Sequence, residues 1–341
     1  MANGKERLTF VDTARAIAIF LVIVGHLVPG ESPIFRFIFA FHMPVFFFLS
    51  GYCTKRTEEP FLRFVGKKAK ALLIPYAVFA LISVILLLIF PVFREAEGIK
   101  AYVVRYLYIT QPYAWFGALW FLVCLFICSV MFYCILKIWD GKNAWWLLPA
   151  AAVFMVAAPM LYMMVASLHY GRLPWKIDSA IGALPFMILG YVFREKARFE
   201  KWKWPVHAGI IVTAPVLIWL FGMRLNGYVN LCDTAYGNPV FYYLAALTGC
   251  LFMLSLGKLT VKVKLFAWLG RNSLFIFAIH GIVIFAAIRI YGLIAGIEAE
   301  YLPDGILVFA VALAVYALCA LLALGFEQCK KLVKRWTHCH G

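Results

Sequence analysis

Apolar residues run along the chain in ten stretches of spanning length, at about 9–29, 36–54, 71–91, 115–136, 145–164, 178–193, 205–222, 239–257, 265–284 and 303–326. Each is close to the ~20 residues that a helix needs to cross the hydrocarbon of a bilayer. The connections between them alternate between rich and poor in Lys and Arg. The N-terminus, 55–70, 137–144, 194–204, 258–264 and the tail carry most of the 32 basic residues. Basic connections stay on the cytoplasmic side, so both termini are expected there, and an odd number of spans would destroy the asymmetry. The pattern predicts an all-α, polytopic membrane bundle of about ten helices. The first stretch carries Asp12 and Arg15 and has no small-residue cleavage site, which reads as a retained span.

Composition sharpens this picture. Of the 341 residues 65% are apolar and 14% charged, with a mean hydropathy of +0.89; a soluble domain carries about 25% charged residues. A large soluble domain is therefore excluded. The net charge of +16 is explained by cytoplasmic loops meeting membrane lipids, and nothing in the sequence points to nucleic acid. Cys53, Cys124, Cys128, Cys134, Cys250 and Cys319 lie in or beside apolar runs, where Cys acts as a small hydrophobe. The His338-Cys339-His340 tail is a poor chelate, and no metal is expected.

Ionisable side chains within spans are costly unless paired or lining a cavity, which makes each a candidate for function. On the first span, Asp12 and Arg15 sit at i, i+3 and can pair. Eleven residues on, His26 shares the face of Arg15, roughly 16 Å along the axis. Counting from the entry of their spans, His42, Asp178 and His280 fall at the same outer depth as His26. Plainer readings stand beside this one. His42 could be an interhelical hydrogen-bonder next to a kink at Pro44, Asp12 and Arg15 a packing pair, and Asp178 an N-terminal helix cap.

At these residues the sequence resembles a known family. Asp12-x-x-Arg15-x10-His26, followed by Phe41-His42-Met43-Pro44 and the run to Gly51-Tyr52, is similar to the start of the membrane acyltransferase family 3 proteins. Lys67-Lys68-Ala69-Lys70 before Pro75-Tyr76, Leu119-Trp120-Phe121-Leu122, Asp178 with Ala183-Leu184-Pro185-Phe186, and Leu269-Gly270-Arg271-Asn272-Ser273 ahead of His280 continue the likeness. It covers about the whole of 1–341 as a single transmembrane domain and is nearest to sugar O-acetylase-like members.

The resemblance implies transfer of an acyl group, usually acetyl, from cytoplasmic acyl-CoA to a hydroxyl at the outer face. The enzyme would sit as a multi-pass protein in a bacterial-type plasma (inner) membrane, using acetyl-CoA as co-substrate and no permanently bound cofactor. Lys67, Lys68 and Lys70, in a cytoplasmic loop, would meet the donor phosphates. Arg15 would orient the donor or stabilise the thioester oxyanion, with Asp12 as its partner, and His26 would be the general base, with a covalent acyl-histidine or acyl-serine as the alternative path. His42, His280, Asp178 and Trp120 fall on the acceptor side or in a proton relay. The outer connections at 92–114, 165–177, 223–238 and 285–302 are short, which favours a lipid-linked or small glycan over a large polysaccharide. A transporter or flippase using the same Asp, Arg and His residues is the competing reading.

Overall fold

The computed structural model describes residues 8–89, 99–109, 114–166 and 172–340. The side chains of the His338-Cys339-His340 group, and parts of the 92–114 and 165–177 connections, lie outside the described residues. Ten helical segments are long and apolar enough to cross a membrane. The helices are α1 (Thr9–His26), α2 (Pro33–Phe39), α3 (His42–Cys53), α4 (Phe61–Ile89), α5 (Ile99–Val104), α6 (Trp120–Trp139), α7 (Leu148–Val165), α8 (Ile177–Ala197), α9 (Trp204–Trp219), α10 (Pro239–Leu259), α11 (Lys264–Arg271), α12 (Ser273–Ala295) and α13 (Ile306–His340), of which the short α5 and α11 belong to none of the ten spans. The all-α membrane bundle expected from the hydrophobic pattern is the fold observed.

The helices form an inner group and an outer group. The α2–α3 and α8 spans are 78% buried inside the protein, and α1 and α6 67%, whereas α4 and α9 bury 22% and α7 17%. Helices that are apolar all round suit both places, because lipid and protein interior are about equally apolar. The polar candidates of α1, α3, α6 and α8 thus stand on the inner helices, away from lipid. Small residues allow the closest approach. A Cβ on Gly51 of α3 would lie 1.9 Å from the Met187 carbonyl oxygen of α8, and one on Gly190 of α8 2.1 Å from that of Phe48. On α11, a Cβ on Gly270 would lie 1.8 Å from the Asp12 carbonyl oxygen, so α11 seats the start of α1 backbone to backbone.

Three boundaries differ from the hydrophobic pattern, each for a local reason. The second span is two helices, broken at Ala40 and Phe41, where Phe41 has φ −145°. Pro44 makes no kink: it falls in the first turn of α3, where its missing N–H costs no helical bond. The 55–70 segment is a loop only to Pro60. From Phe61 it is the first turns of α4, so Lys67, Lys68 and Lys70 stand on a helix, whose charges ride on long apolar stems. The ninth span begins at Ser273, not 265, because the short amphipathic α11 ends at Asn272; α12 accordingly runs on through 285–295.

The connections gather at two ends. At one, Arg56 meets Asp140 at 3.2 Å, Lys137 meets Glu58 at 3.1 Å, and Arg194 donates to the Tyr52 carbonyl. At the other, Phe35 stacks on Tyr228 at 5.8 Å, the Leu302 N–H donates to the Leu27 carbonyl at 2.8 Å, and Ser32 donates to Asp304. Deeper in, the Tyr316 hydroxyl of α13 donates to the Ala16 carbonyl of α1 at 2.9 Å. The alternation of basic and neutral connections is therefore a real separation of the molecule into a basic end and an opposite end.

Candidate active site

The helix α1 runs from one end to the other and carries Asp12, Arg15 and His26. Asp12 is 3% exposed and its Oδ1 lies 3.5 Å from Arg15 Nη1. This is the i, i+3 pair expected from the spacing. Arg15 also reaches Cys53 Sγ at 3.7 Å, at the last turn of α3. Lys68 comes in from α4, within electrostatic range of Arg15, Cys53 and Cys128, its ammonium 5.7 Å from the centre of the Phe64 ring.

The other expected donor-side residues are placed differently. Lys67 is bound to Glu59 at 2.5 Å beside Arg63, which meets the same carboxylate at 3.3 Å. Lys70 is exposed. The three lysines therefore do not act together: a helix turns 100° per residue, so Lys68 faces Arg15 while its neighbours point elsewhere. Nearby, Glu58 accepts from Lys137, which with Arg56 holds its carboxyl below the usual range.

At the other end of α1, His26 closes the helix. Its ring centre lies 5.4 Å from that of His280 on α12 and 5.9 Å from Phe39, which in turn lies 4.3 Å from His42. The depth counted along three separate spans brings these three histidines to one place, even though α12 starts later than the apolar pattern suggests. His42 Nδ1 donates to the Ile38 carbonyl at 3.0 Å, across the break between α2 and α3. His280 Nδ1 donates to the Phe277 carbonyl at 2.6 Å. A carbonyl only accepts, so both Nδ1 atoms carry the proton and leave Nε2 as the basic nitrogen. Phe39 stands between His26 and His42, and among the described residues no group of three His, Cys, Asp or Glu is placed to hold a metal ion.

Asp178 and Trp120 lie in an adjoining cluster, joined to the histidines by a run of rings from Trp120 through Phe121 and Phe277 to His280. Asp178 is 1% exposed; its Oδ1 accepts from the Ser179 N–H, and its Oδ2 lies 3.7 Å from Arg172. It is not the N-terminal cap, a position held by Lys176, but lies in the first turn of α8, buried against a cation. Arg172 is held by Asp233 at 2.8 Å and by the Cys232 carbonyl at 2.7 Å. Lys176 is fully buried, donates to the same carbonyl at 3.2 Å, and lies 6.0 Å from the Trp120 ring centre. Trp120 thus already has a cation against its ring. Burial pushes the Cys232 thiol up to about 12, which keeps it neutral beside these charges.

Three residues escaped the reading of the sequence. Tyr236 lies within electrostatic range of Asp178, and the Tyr242 and Tyr243 rings pack beside it, at 5.4 Å from Tyr236 to Tyr242 and 5.1 Å from Tyr242 to Tyr243. Their one signal was a pair of adjacent hydroxyls, Tyr242-Tyr243, inside an apolar span; interfacial tyrosines are common enough to hide it.

Residues 8–324 match the family described as acyltransferase domain. Among curated proteins, the chain is 30% identical over 207 residues to "Nodulation protein NolL" of Sinorhizobium fredii (strain NBRC 101917 / NGR234), covering 57% of this chain and 50% of that protein. It is 24% identical over 256 residues to "Nodulation protein NolL" of Mesorhizobium japonicum (strain LMG 29417 / CECT 9101 / MAFF 303099), covering 71% and 60%. The chain thus spans half to three-fifths of the length of these relatives. With a match over nearly all its length, this multi-pass membrane chain belongs to the acyltransferase-domain family.

Proposed function

We propose that the protein is an integral-membrane O-acyltransferase that moves an acyl group, acetyl in the first instance, from cytoplasmic acyl-CoA to a hydroxyl of a cell-envelope carbohydrate or lipid-linked glycan. One observation carries the reading: a single inner helix holds Arg15 at the basic end and His26, beside two further histidines, at the other. The basic end faces the cytoplasm of a bacterial-type plasma membrane, with both termini on that side. Donor phosphates meet Lys68 and Arg15 there. The pantetheine arm runs inward along α1, over the roughly 16 Å that separate Arg15 from His26.

In the transfer step His26 takes the proton of the acceptor hydroxyl, and the resulting oxygen nucleophile attacks the thioester carbonyl. The C–S bond then breaks, and the proton held by His26 passes to the departing CoA sulfur. The ester stays on the acceptor. His280, basic at Nε2, supports the imidazolium that forms on His26, and His42 lies one ring further on.

Donor binding tests the reading without knowledge of the acceptor. A ligand at 100 times its Kd adds about 2.7 kcal/mol to the native state. Acetyl-CoA is expected to raise the thermal midpoint of the detergent-purified protein saturably, and CoA lacking its 3′-phosphate to do so less. An unchanged midpoint with acyl-CoA, in protein shown to be folded, would sink the proposal and bring transport forward.

A further inference from the structure

Beyond the histidines, the interior holds a group of polar atoms that the transfer step leaves unused. The hydroxyls of Tyr236, Tyr242 and Tyr243 and the Oδ2 of Asp178 are all buried and have no hydrogen-bond partner among the described residues. Native proteins leave few buried polar atoms unpaired, and such atoms point to a role outside the fold's own bonding. Here four lie along one face of α8, from Asp178, whose Oδ2 is also 3.7 Å from Arg172, past Gly182 to Phe186. The ring centres of Tyr236 and Tyr242 are 5.4 Å apart and those of Tyr242 and Tyr243 5.1 Å, with Phe186 of α8 packed on the last two. Asp178, Gly182 and Phe186 succeed one another at i, i+4 and i+8, one face of α8. The Tyr236 hydroxyl lies over Gly182, where a Cβ would come within 2.1 Å of it.

The chemistry of the group narrows what it can bind. Phenols both donate and accept, and a carboxylate accepts from hydroxyls. Arg172 and Lys176 are already donating to Asp233 and to the Cys232 carbonyl, which argues against an anionic ligand. What matches three phenols and a carboxylate is a neutral group bearing several hydroxyls.

We infer that Tyr236, Tyr242 and Tyr243, with Asp178, read the hydroxyls of the carbohydrate acceptor and set which sugar the enzyme accepts. The inference rests on the O-acyltransferase reading above and adds the residues that determine its acceptor. The tyrosines are specificity residues; the proton is still moved at His26.

Tyr236→Phe, Tyr242→Phe and Tyr243→Phe test this, since each removes one oxygen and keeps the ring. Three readouts are taken: the thermal midpoint, its rise with acetyl-CoA, and transfer of label from radiolabelled acetyl-CoA to glycan in membranes of the source organism, which supply the native acceptor. The expected result is a midpoint held or raised, an unchanged response to acetyl-CoA, and transfer reduced at least tenfold at limiting acceptor in two or more variants. Undiminished transfer would overturn the inference, leaving the hydroxyls as packing. A lowered midpoint would overturn it too, because the oxygens would then have partners within the fold. A weakened response to acetyl-CoA would place them on the donor side instead. Wild-type protein that transfers no label would overturn the O-acyltransferase reading, and this inference with it.

Discussion

The two ends of α1 are built on opposite principles. Around Arg15 the surroundings are charged: Arg15 is paired with the buried Asp12, Lys67 and Arg63 with the half-buried Glu59, and, in the open, Arg56 and Lys137 with Glu58. Around His26 they are sparing of charge, with the buried imidazoles of His42 and His280 and the Phe39 ring, and the charges of Arg172, Asp178 and Lys176 held in the adjoining cluster. Exposed ion pairs are worth little individually and rearrange readily; buried neutral donors and acceptors are fixed in place and unforgiving of a mismatch. The difference suits the proposed reaction, in which a highly charged donor is held loosely at one end and a neutral acceptor is discriminated at the other.

Breaking the His26 end has the largest expected effect. His26→Ala should lower acyl transfer by about 10²- to 10⁴-fold, the range for loss of a general base, while the acetyl-CoA-induced midpoint shift persists. A variant that keeps full transfer in a label assay would remove His26 from the chemistry. Next, Gly270→Ala forces a methyl group against the Asp12 carbonyl. Overpacking of this kind costs about 1–3 kcal/mol, read as a lower thermal midpoint, and the shift of α1 should raise the KM for acyl-CoA. At the Arg15 end, Lys68→Ala should weaken acyl-CoA by about 1 kcal/mol, the worth of one cation near a surface charge, in a titration of the midpoint shift. Lys67→Ala, which removes an exposed ammonium that pairs with the half-buried Glu59 and does not face Arg15, should change donor affinity by less than that. Equal effects at Lys67 and Lys68 would mean that the basic segment acts as a general attractor, and the assigned difference between them would fall.

The sequence revealed most of the frame because a bilayer demands long apolar runs, and the alternation of basic connections separated the two ends. It also placed Asp12, Arg15 and His26 on one helix face, where spacing alone decides geometry. What it concealed depended on tertiary contact. The break at Ala40 and Phe41 lies inside an unbroken apolar run, so hydropathy passes over it. The start of α4 at Phe61 was masked by Arg63, Lys67, Lys68 and Lys70, whose charges look like loop in a one-dimensional reading. Which lysine faces Arg15 depends on helix phase, and the partner of Lys67 depends on Glu59 across Pro60. The tyrosines become distinctive only when their hydroxyls are seen to lack partners.

The bonds from Tyr316 to Ala16, from Leu302 to Leu27 and from Ser32 to Asp304 join residues 272 to 300 positions apart. Synthesis delivers a chain from its N-terminus at a limited pace, and contacts between distant parts must wait for the later one. The helix that carries Arg15 and His26 therefore leaves the ribosome before α12 and α13 and is among the last to be finished. Until α12 brings His280 and α13 closes over α1, the newborn protein lacks the pairing of His26 with His280, and a ribosome that stalls before α12 leaves a fragment without it.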